Sequence, residues 1–266
     1  MLAEKYILKD TVIYKKLSNT FIIFDNFFKL RPLRWFAVWA MIVSGSNATI
    51  HLENRWMYWS WDSFSLYLFF AFILSSFIDF IFTSKLVNGN GKPFYIEQLI
   101  IFLYGFFLFL LGSNPLNLSL DLLLVGFPYI LFFSAGHLTW KIPLKIFRSS
   151  KPNKKDFALL LAIAIIFTFI ASLVGYLNDD PMISTIAAVY LPFLFVGIVF
   201  PPGIRHLQRC RMYVIFIPLM FLSMRHPWFI LINAPLFLLS RYYFYFTHGN
   251  VIPTFKVDQP DQEITK

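Results

Sequence analysis

Three ionisable side chains lie inside or at the ends of long apolar runs, where an isolated charge is costly. Asp79 is the single ionisable residue of the run Ser63–Ser84, and Glu97 opens the run that follows. His137 lies near the end of a later run. An ionised carboxylate in apolar surroundings needs a partner or water. These side chains are therefore candidates for binding a cation, a proton or a polar headgroup.

Polar and basic residues beside these runs extend the candidate set. Asn88 and Lys92 follow Asp79 in the next loop, and Arg205 and Arg209 belong to the segment PPGIRHLQRCR. If that segment is helical, the two arginines share a face at i, i+4. Guanidinium groups there suit phosphate, which they bind bidentately. The predicted substrate-binding residues are Asp79, Asn88, Lys92, Glu97, His137, Arg205 and Arg209.

Each candidate also has a structural interpretation. Asp79 would simply pair with Lys85 or Lys141 near the membrane surface. His137 would be a hydrogen-bonded structural residue at a helix end. The arginines would anchor the chain against anionic lipid. The sequence leaves both interpretations open for each residue.

The composition indicates that these residues sit in a helical membrane protein. Of the 266 residues, 58% are hydrophobic and 14% are charged, and the mean hydropathy is +0.64. A soluble domain of this length needs more charge, and a transmembrane β-barrel alternates polar and apolar residues in segments of about 10. The single cysteine, Cys210, allows no internal disulfide and no CxxC pair. We predict an all-α, polytopic transmembrane bundle.

Eight apolar runs reach or approach the roughly 18–20 residues that cross a bilayer. They cover about 34–50, 63–84, 97–112, 118–138, 157–176, 182–200, 212–224 and 227–247. The predicted organisation is an amphipathic cytoplasmic or interfacial segment 1–33, a transmembrane domain 34–247 and a cytoplasmic tail 248–266. Segment 1–33 would lie among lipid headgroups or pack on the bundle from the cytosol.

The distribution of positive charge predicts the orientation. With both termini in the cytoplasm, every lysine and arginine except Arg55 and Arg225 falls in an inner segment. The outer connection 178–181 is acidic instead. This asymmetry follows the positive-inside rule. It accounts for the net charge of +9 without nucleic acid as a partner, and the bacterial inner (plasma) membrane is the expected location.

The entry Leu30-Arg31-Pro32, followed by a carboxylate at the predicted cytoplasmic end of span 2, resembles the UbiA-type intramembrane prenyltransferases. That family has helical bundles with Asp-rich motifs after spans 2 and 6, which hold Mg²⁺ and a prenyl diphosphate. Asp79, with Asn88 and Asn90, lies where the first motif falls, and Lys92-Pro93 is similar to its basic-Pro ending.

The chain also departs from the family pattern. The paired aspartates of the first motif are missing, and 201–211 contains no acidic residue where the second motif belongs. The family typically has nine spans, whereas we predict eight. The resemblance implies a divergent member with lost or changed chemistry. No cofactor is evident from the residues themselves, and Mg²⁺ is implied only by the resemblance.

Three functions follow as hypotheses. The first is a lipid-handling bundle, such as a divergent UbiA-like prenyl or lipid transferase, with a cytosol-facing headgroup site and membrane lipids, isoprenoid or acyl-chain, as partners. The second is a small transporter that uses Asp79 to couple protons or cations. The third is a structural subunit of a membrane complex. The sequence does not decide whether the protein is an enzyme or what its oligomeric state is.

Overall fold

A computed structural model describes residues 2–28, 32–82, 93–113, 116, 118–142, 154–200 and 204–249. Within these residues the chain forms ten α-helices and no β-strand. Two N-terminal helices, the short α1 (Leu2–Tyr6) and the longer α2 (Val12–Phe28), precede the bundle. The bundle consists of α3 (Pro32–Glu53), α4 (Leu66–Phe82), α5 (Phe94–Ser113), α6 (Leu120–Lys141), α7 (Lys154–Leu177), α8 (Pro181–Val199), α9 (Ile204–Arg225) and α10 (Trp228–His248).

The eight bundle helices alternate in direction. Contacts join the start of α3 to the end of α4, through Arg34 and Asp79, and the start of α5 to the end of α6, through Glu97 and Lys141. We call this the basic end, because it corresponds to the predicted lysine- and arginine-rich side. The other end, where α3 finishes and α10 begins, is called the opposite end.

Each predicted span corresponds to one bundle helix. Six helices, α5 to α10, are long and apolar enough to cross a membrane. The apolar part of α4 is shorter, at Leu66–Asp79, and α3 carries the polar residues Ser44, Asn47 and His51 along its length. Helix α9 begins at Ile204, eight residues before the predicted start of span 7. A multi-pass helical membrane protein is therefore the class that this fold supports.

The outer surface of the bundle is apolar, as expected where helices face lipid. On α7 the exposed side chains include Leu159, Ile166, Phe169 and Leu173, whose spacing places them on one helix face. A row of large exposed apolar side chains on a monomer marks contact with a membrane or with another protein. The buried side chains instead form one large cluster that runs through all eight bundle helices.

Two glycines let α3 and α5 approach at backbone contact distance. A Cβ atom on Gly112 would lie 1.6 Å from the carbonyl oxygen of Ile42, and one on Gly45 would lie 2.1 Å from that of Phe109. No side chain fits at either position without separating the helices. Small residues at membrane helix interfaces commonly permit such close packing, and here they fix the position of α3, which carries Arg34.

Helix α2 lies against the C-terminal end of α10. Tyr14 donates a hydrogen bond to the carbonyl oxygen of Tyr245 at 3.2 Å, and Ser18 donates to that of Phe246 at 2.8 Å. The opposite face of α2 leaves Ile13 and Ile23 exposed. One face thus packs on the bundle, as one of the two interpretations requires. The exposed apolar face of α2, with Ile13 and Ile23, is compatible with contact with lipid headgroups, and that position stays a prediction.

Candidate functional site

A cavity of about 680 Å³ occupies the centre of the bundle between α3, α5, α6, α8, α9 and α10. Its walls are mostly apolar and include Val38, Met41, Phe132, Ile186 and Val214. This volume is within the roughly 300–1,000 Å³ that small-molecule sites occupy. On α3 the lining extends from Arg34 to Ser44, about 15 Å at 1.5 Å per residue. The cavity is therefore elongated along the bundle.

Polar side chains line the cavity where it reaches the basic end. They are Asp25, Arg34, His137 and His248. The Asp25 carboxylate accepts a hydrogen bond from the Tyr243 hydroxyl, which joins α2 to α10 beside the cavity. The cavity thus combines an apolar interior with charged and polar groups at one end. This distribution matches an amphipathic ligand better than a fully polar one.

Arg34 is held in place by a buried carboxylate. Its Nε donates to Asp79 Oδ1 at 2.5 Å, and the Tyr104 hydroxyl donates to the same oxygen at 3.2 Å. The Asp79 side chain is 4% exposed and that of Arg34 is 24% exposed.

At helical spacing, Ser75, Ser76 and Thr83 share a face with Asp79. A small polar stripe of this kind predicts that Asp79 turns toward other helices, and Asp79 is buried. Its partner is Arg34, which sequence reasoning had counted only as a positive-inside residue.

Glu97 and His137 come together on α5 and α6. His137 Nε2 and Glu97 Oε1 are 3.3 Å apart, and Lys141 donates to Glu97 Oε2. The Lys141 ammonium also lies over the Phe94 ring, 5.3 Å from its centroid. His137 lines the cavity, whereas Glu97 contacts the His137 side chain without lining the cavity itself. Glu97 therefore orients the imidazole toward the cavity.

Among the remaining predicted residues, Arg209 has a described side chain, and it does not line the cavity. Arg209 is exposed on α9, and Arg205 belongs to the same helix, with its side chain outside the described residues. Asn88 and Lys92 also lie outside them, as does Lys85. Arg211, from the same basic segment, is buried instead.

The buried guanidinium of Arg211 has a structural role. It donates to the carbonyl oxygen of Trp140 at 3.1 Å and to that of Ile142, and it lies over the Trp140 ring. These carbonyl groups are at the C-terminus of α6, where a cation is favourable. Arg211 therefore fixes the end of the helix that presents His137.

A second polar network closes the cavity near the opposite end. Tyr129, which lines the cavity, donates to Asp180 Oδ2 at 2.7 Å and accepts from Asn47 Nδ2 at 2.6 Å. Asp180 Oδ1 accepts from the backbone of Met182 and caps α8. Buried Arg225 donates to the carbonyl oxygen of Asn47 at 3.3 Å. The network ties α3, α6, α8 and α9 together.

Sequence reasoning missed Arg34, Asp25 and Tyr129 as parts of the site. The signal that was available for Arg34 is its position as the first residue of the first predicted span, where a cation at the edge of an apolar run can pair with a carboxylate. The neighbours of Tyr129 are far away in sequence, so no local pattern identifies it.

Among the described residues, no three His, Cys, Asp or Glu side chains gather as a group that would hold a metal ion. Comparison of the chain with models of protein families, with curated proteins and with solved structures found no match.

Proposed function

We propose that this integral membrane protein binds a single-chain amphipathic lipid, with the apolar chain in the central cavity and the headgroup at the basic end. The observation that carries the proposal is the elongated apolar cavity whose polar lining is concentrated beside Arg34 and His137. An apolar chain gains free energy by filling such a space, because an empty apolar cavity forfeits dispersion contacts.

The arrangement of the headgroup residues supports the same ligand class. Arg34 and His137 each have a carboxylate, Asp79 and Glu97, on the side away from the cavity. A ligand therefore meets groups that are already oriented. Preorganised groups lose little conformational freedom on binding.

A divergent UbiA-like transferase is one protein of this kind, and the resemblance of about the first 95 residues to that family stays a prediction. In that proposal Asp79 would act through Arg34 rather than as a metal ligand. The proton- or cation-coupled transporter is a weaker proposal, because the carboxylate it relies on is paired with Arg34. The hypothesis of a structural subunit predicts a fixed protein partner instead of a bound lipid, and the co-purification experiment below distinguishes the two.

The direct test is mass spectrometry of lipids that co-purify with the protein. Ala40 lines the cavity and is 6% exposed, so Ala40→Phe places a ring inside it. The matched control is Ala188→Phe on α8, where the alanine is exposed on the outer surface. We expect the wild type and Ala188→Phe to retain one class of lipid at near-unit stoichiometry and Ala40→Phe to lose it.

Equal lipid content in all three proteins would contradict the proposal, since lipid held only on the outer surface does not respond to filling the cavity. A wild type that retains no lipid but a fixed protein partner would favour the structural-subunit hypothesis. Thermal unfolding of Ala40→Phe distinguishes a filled cavity from a misfolded chain.

A further inference from the structure

The headgroup end of the cavity carries a cation with unused donors. We propose that Arg34 binds an oxyanion, a phosphate or carboxylate, on the ligand, through its Nη1 and Nη2 groups, since Asp79 engages Nε. This assignment rests on the proposed function, because it names the headgroup chemistry of the lipid that the cavity holds.

The hydrogen-bond inventory of Arg34 supports the assignment. A guanidinium has five N–H donors and keeps its charge at any physiological pH. Within the described part of the chain, Asp79 Oδ1 is the single recorded partner of Arg34, and it engages Nε. Four N–H groups remain for a ligand, and Arg34, which carries them, lines the cavity.

The surroundings favour an anion over a neutral group at this position. Hydrogen bonds from a guanidinium to an oxyanion are shorter and about twice as strong as neutral ones, and the planar fork matches two oxygens of one phosphate or carboxylate. Asp25, whose carboxylate lines the cavity, is engaged by the Tyr243 hydroxyl. His137 offers a further polar contact on the facing helix α6.

Asp79 is a positioning residue in this proposal. It does not line the cavity, and it acts by fixing the plane of the Arg34 guanidinium. Tyr104 in turn holds the Asp79 carboxylate from α5. The chain of contacts from Tyr104 to Asp79 to Arg34 sets the direction in which the free N–H groups point.

The test compares ligands that share one chain and differ in the headgroup. Hexadecyl phosphate, palmitate and hexadecanol are titrated into purified protein in nanodiscs, and binding is followed by native mass spectrometry. We expect the wild type to bind at least one of the two anions about tenfold or more tightly than the alcohol, as a charged hydrogen bond requires. The anion that binds more tightly shows whether the headgroup of the natural ligand is a phosphate or a carboxylate.

Variants assign the preference to Arg34. The double variant Arg34→Gln/Asp79→Asn removes both charges without leaving a buried carboxylate unpaired, and its ratio of anion to alcohol affinity should fall to near one. Arg34→Lys keeps a point charge and should retain an intermediate ratio. The matched control is Arg55→Gln, which breaks an arginine–aspartate pair with Asp179 at the opposite end and should keep the wild-type ratio.

Two results would overturn the assignment and leave the proposed function standing. One is equal affinity of the wild type for all three probes, and the other is an undiminished preference for anions in the double variant. If the wild type binds none of the probes, the proposed function fails and this inference fails with it.

Discussion

At the residue scale, the decisive contact is the ion pair between Arg34 and Asp79. It gives the buried Asp79 carboxylate a cationic partner, and it holds the Arg34 guanidinium in one orientation. The Asp79 side chain is 4% exposed, so removing Arg34 leaves a carboxylate that water does not compensate. Helix packing sets this contact, since the residues are on different helices.

We expect a double-mutant cycle to measure strong coupling between the two side chains. Asp79→Asn and Arg34→Gln should each lower the free energy of unfolding by about 1–3 kcal/mol, because each removes a charged hydrogen bond from a partner that is largely shielded from water. The double variant should be more stable than the sum of the single losses implies. Unfolding by denaturing detergent measures all four proteins, and strictly additive losses would show that the pair contributes no coupling.

His226 gives a pH dependence that is separate from the cavity. It lies in the turn between α9 and α10, where burial and then the neighbouring Arg225 charge lower the pKa of the imidazole from 6.5 to about 3. Its Nδ1 is 2.8 Å from the Ser63 hydroxyl. A histidine that stays neutral in the folded protein protonates more readily in the unfolded chain, so stability is full above pH 6.5 and falls between 6.5 and about 3.

His226→Gln tests that dependence, because glutamine keeps a hydrogen-bonding group but does not titrate. The melting temperature of the wild type should decline as the pH falls through this window, and the decline should be smaller in the variant. Identical pH profiles for the two proteins would assign the loss of stability to other groups.

Sequence patterns predicted part of the site at this scale. The small polar stripe on α4 correctly predicted that Asp79 turns inward, since Ser75 is also buried. The pairing of Glu97 with His137 was not predicted, because it depends on the register between α5 and α6. Which side chains pair across two helices depends on how the helices pack, and no local sequence pattern reveals that packing.

At the element scale, the contact between α3 and α5 positions Arg34 relative to Tyr104. The backbones meet at Gly45 and Gly112, where the added Cβ would overlap a carbonyl oxygen. The apolar runs predicted that these helices exist, but not which of them touch. Gly45 within one apolar run and Gly112 at the end of another were the available indication of close approach.

Gly112→Ala should separate α3 from α5 and destabilise the bundle by several kcal/mol or prevent folding, because a backbone atom blocks the methyl group. Gly197→Ala is the matched control, since its Cβ would meet the Cys210 sulfur at 3.3 Å and a small adjustment relieves it. Detergent-solubilised yield and melting temperature compare the two variants. Equal stability of both variants would contradict the close contact.

At the scale of the whole molecule, alternating helix direction places the ends of all bundle helices on two faces. The apolar runs predicted every bundle helix, because burial in lipid demands long uninterrupted apolar segments. They did not reveal the central cavity, which arises where side chains of six helices fail to fill the interior. Charge distribution predicts which face is cytoplasmic, and that orientation stays a prediction.

Cysteine labelling tests the orientation. In a Cys210→Ser background, Lys16→Cys marks the basic end, where Lys16 is exposed, and Asn178→Cys marks the opposite end, where Asn178 is half-buried at the surface. A membrane-impermeant maleimide should label position 178 in intact cells and position 16 only after lysis. Labelling of both positions in intact cells would contradict a bundle that separates them across the membrane.

The central claim is that an apolar chain lies inside the bundle, and one measurement tests it directly. Crystals grown with palmitate brominated along its chain locate the bromine by anomalous scattering. We expect a bromine peak within the cavity, between Val38 on α3, Phe132 on α6 and Val214 on α9. Bromine peaks confined to the outer surface, with the cavity free of them, would contradict it.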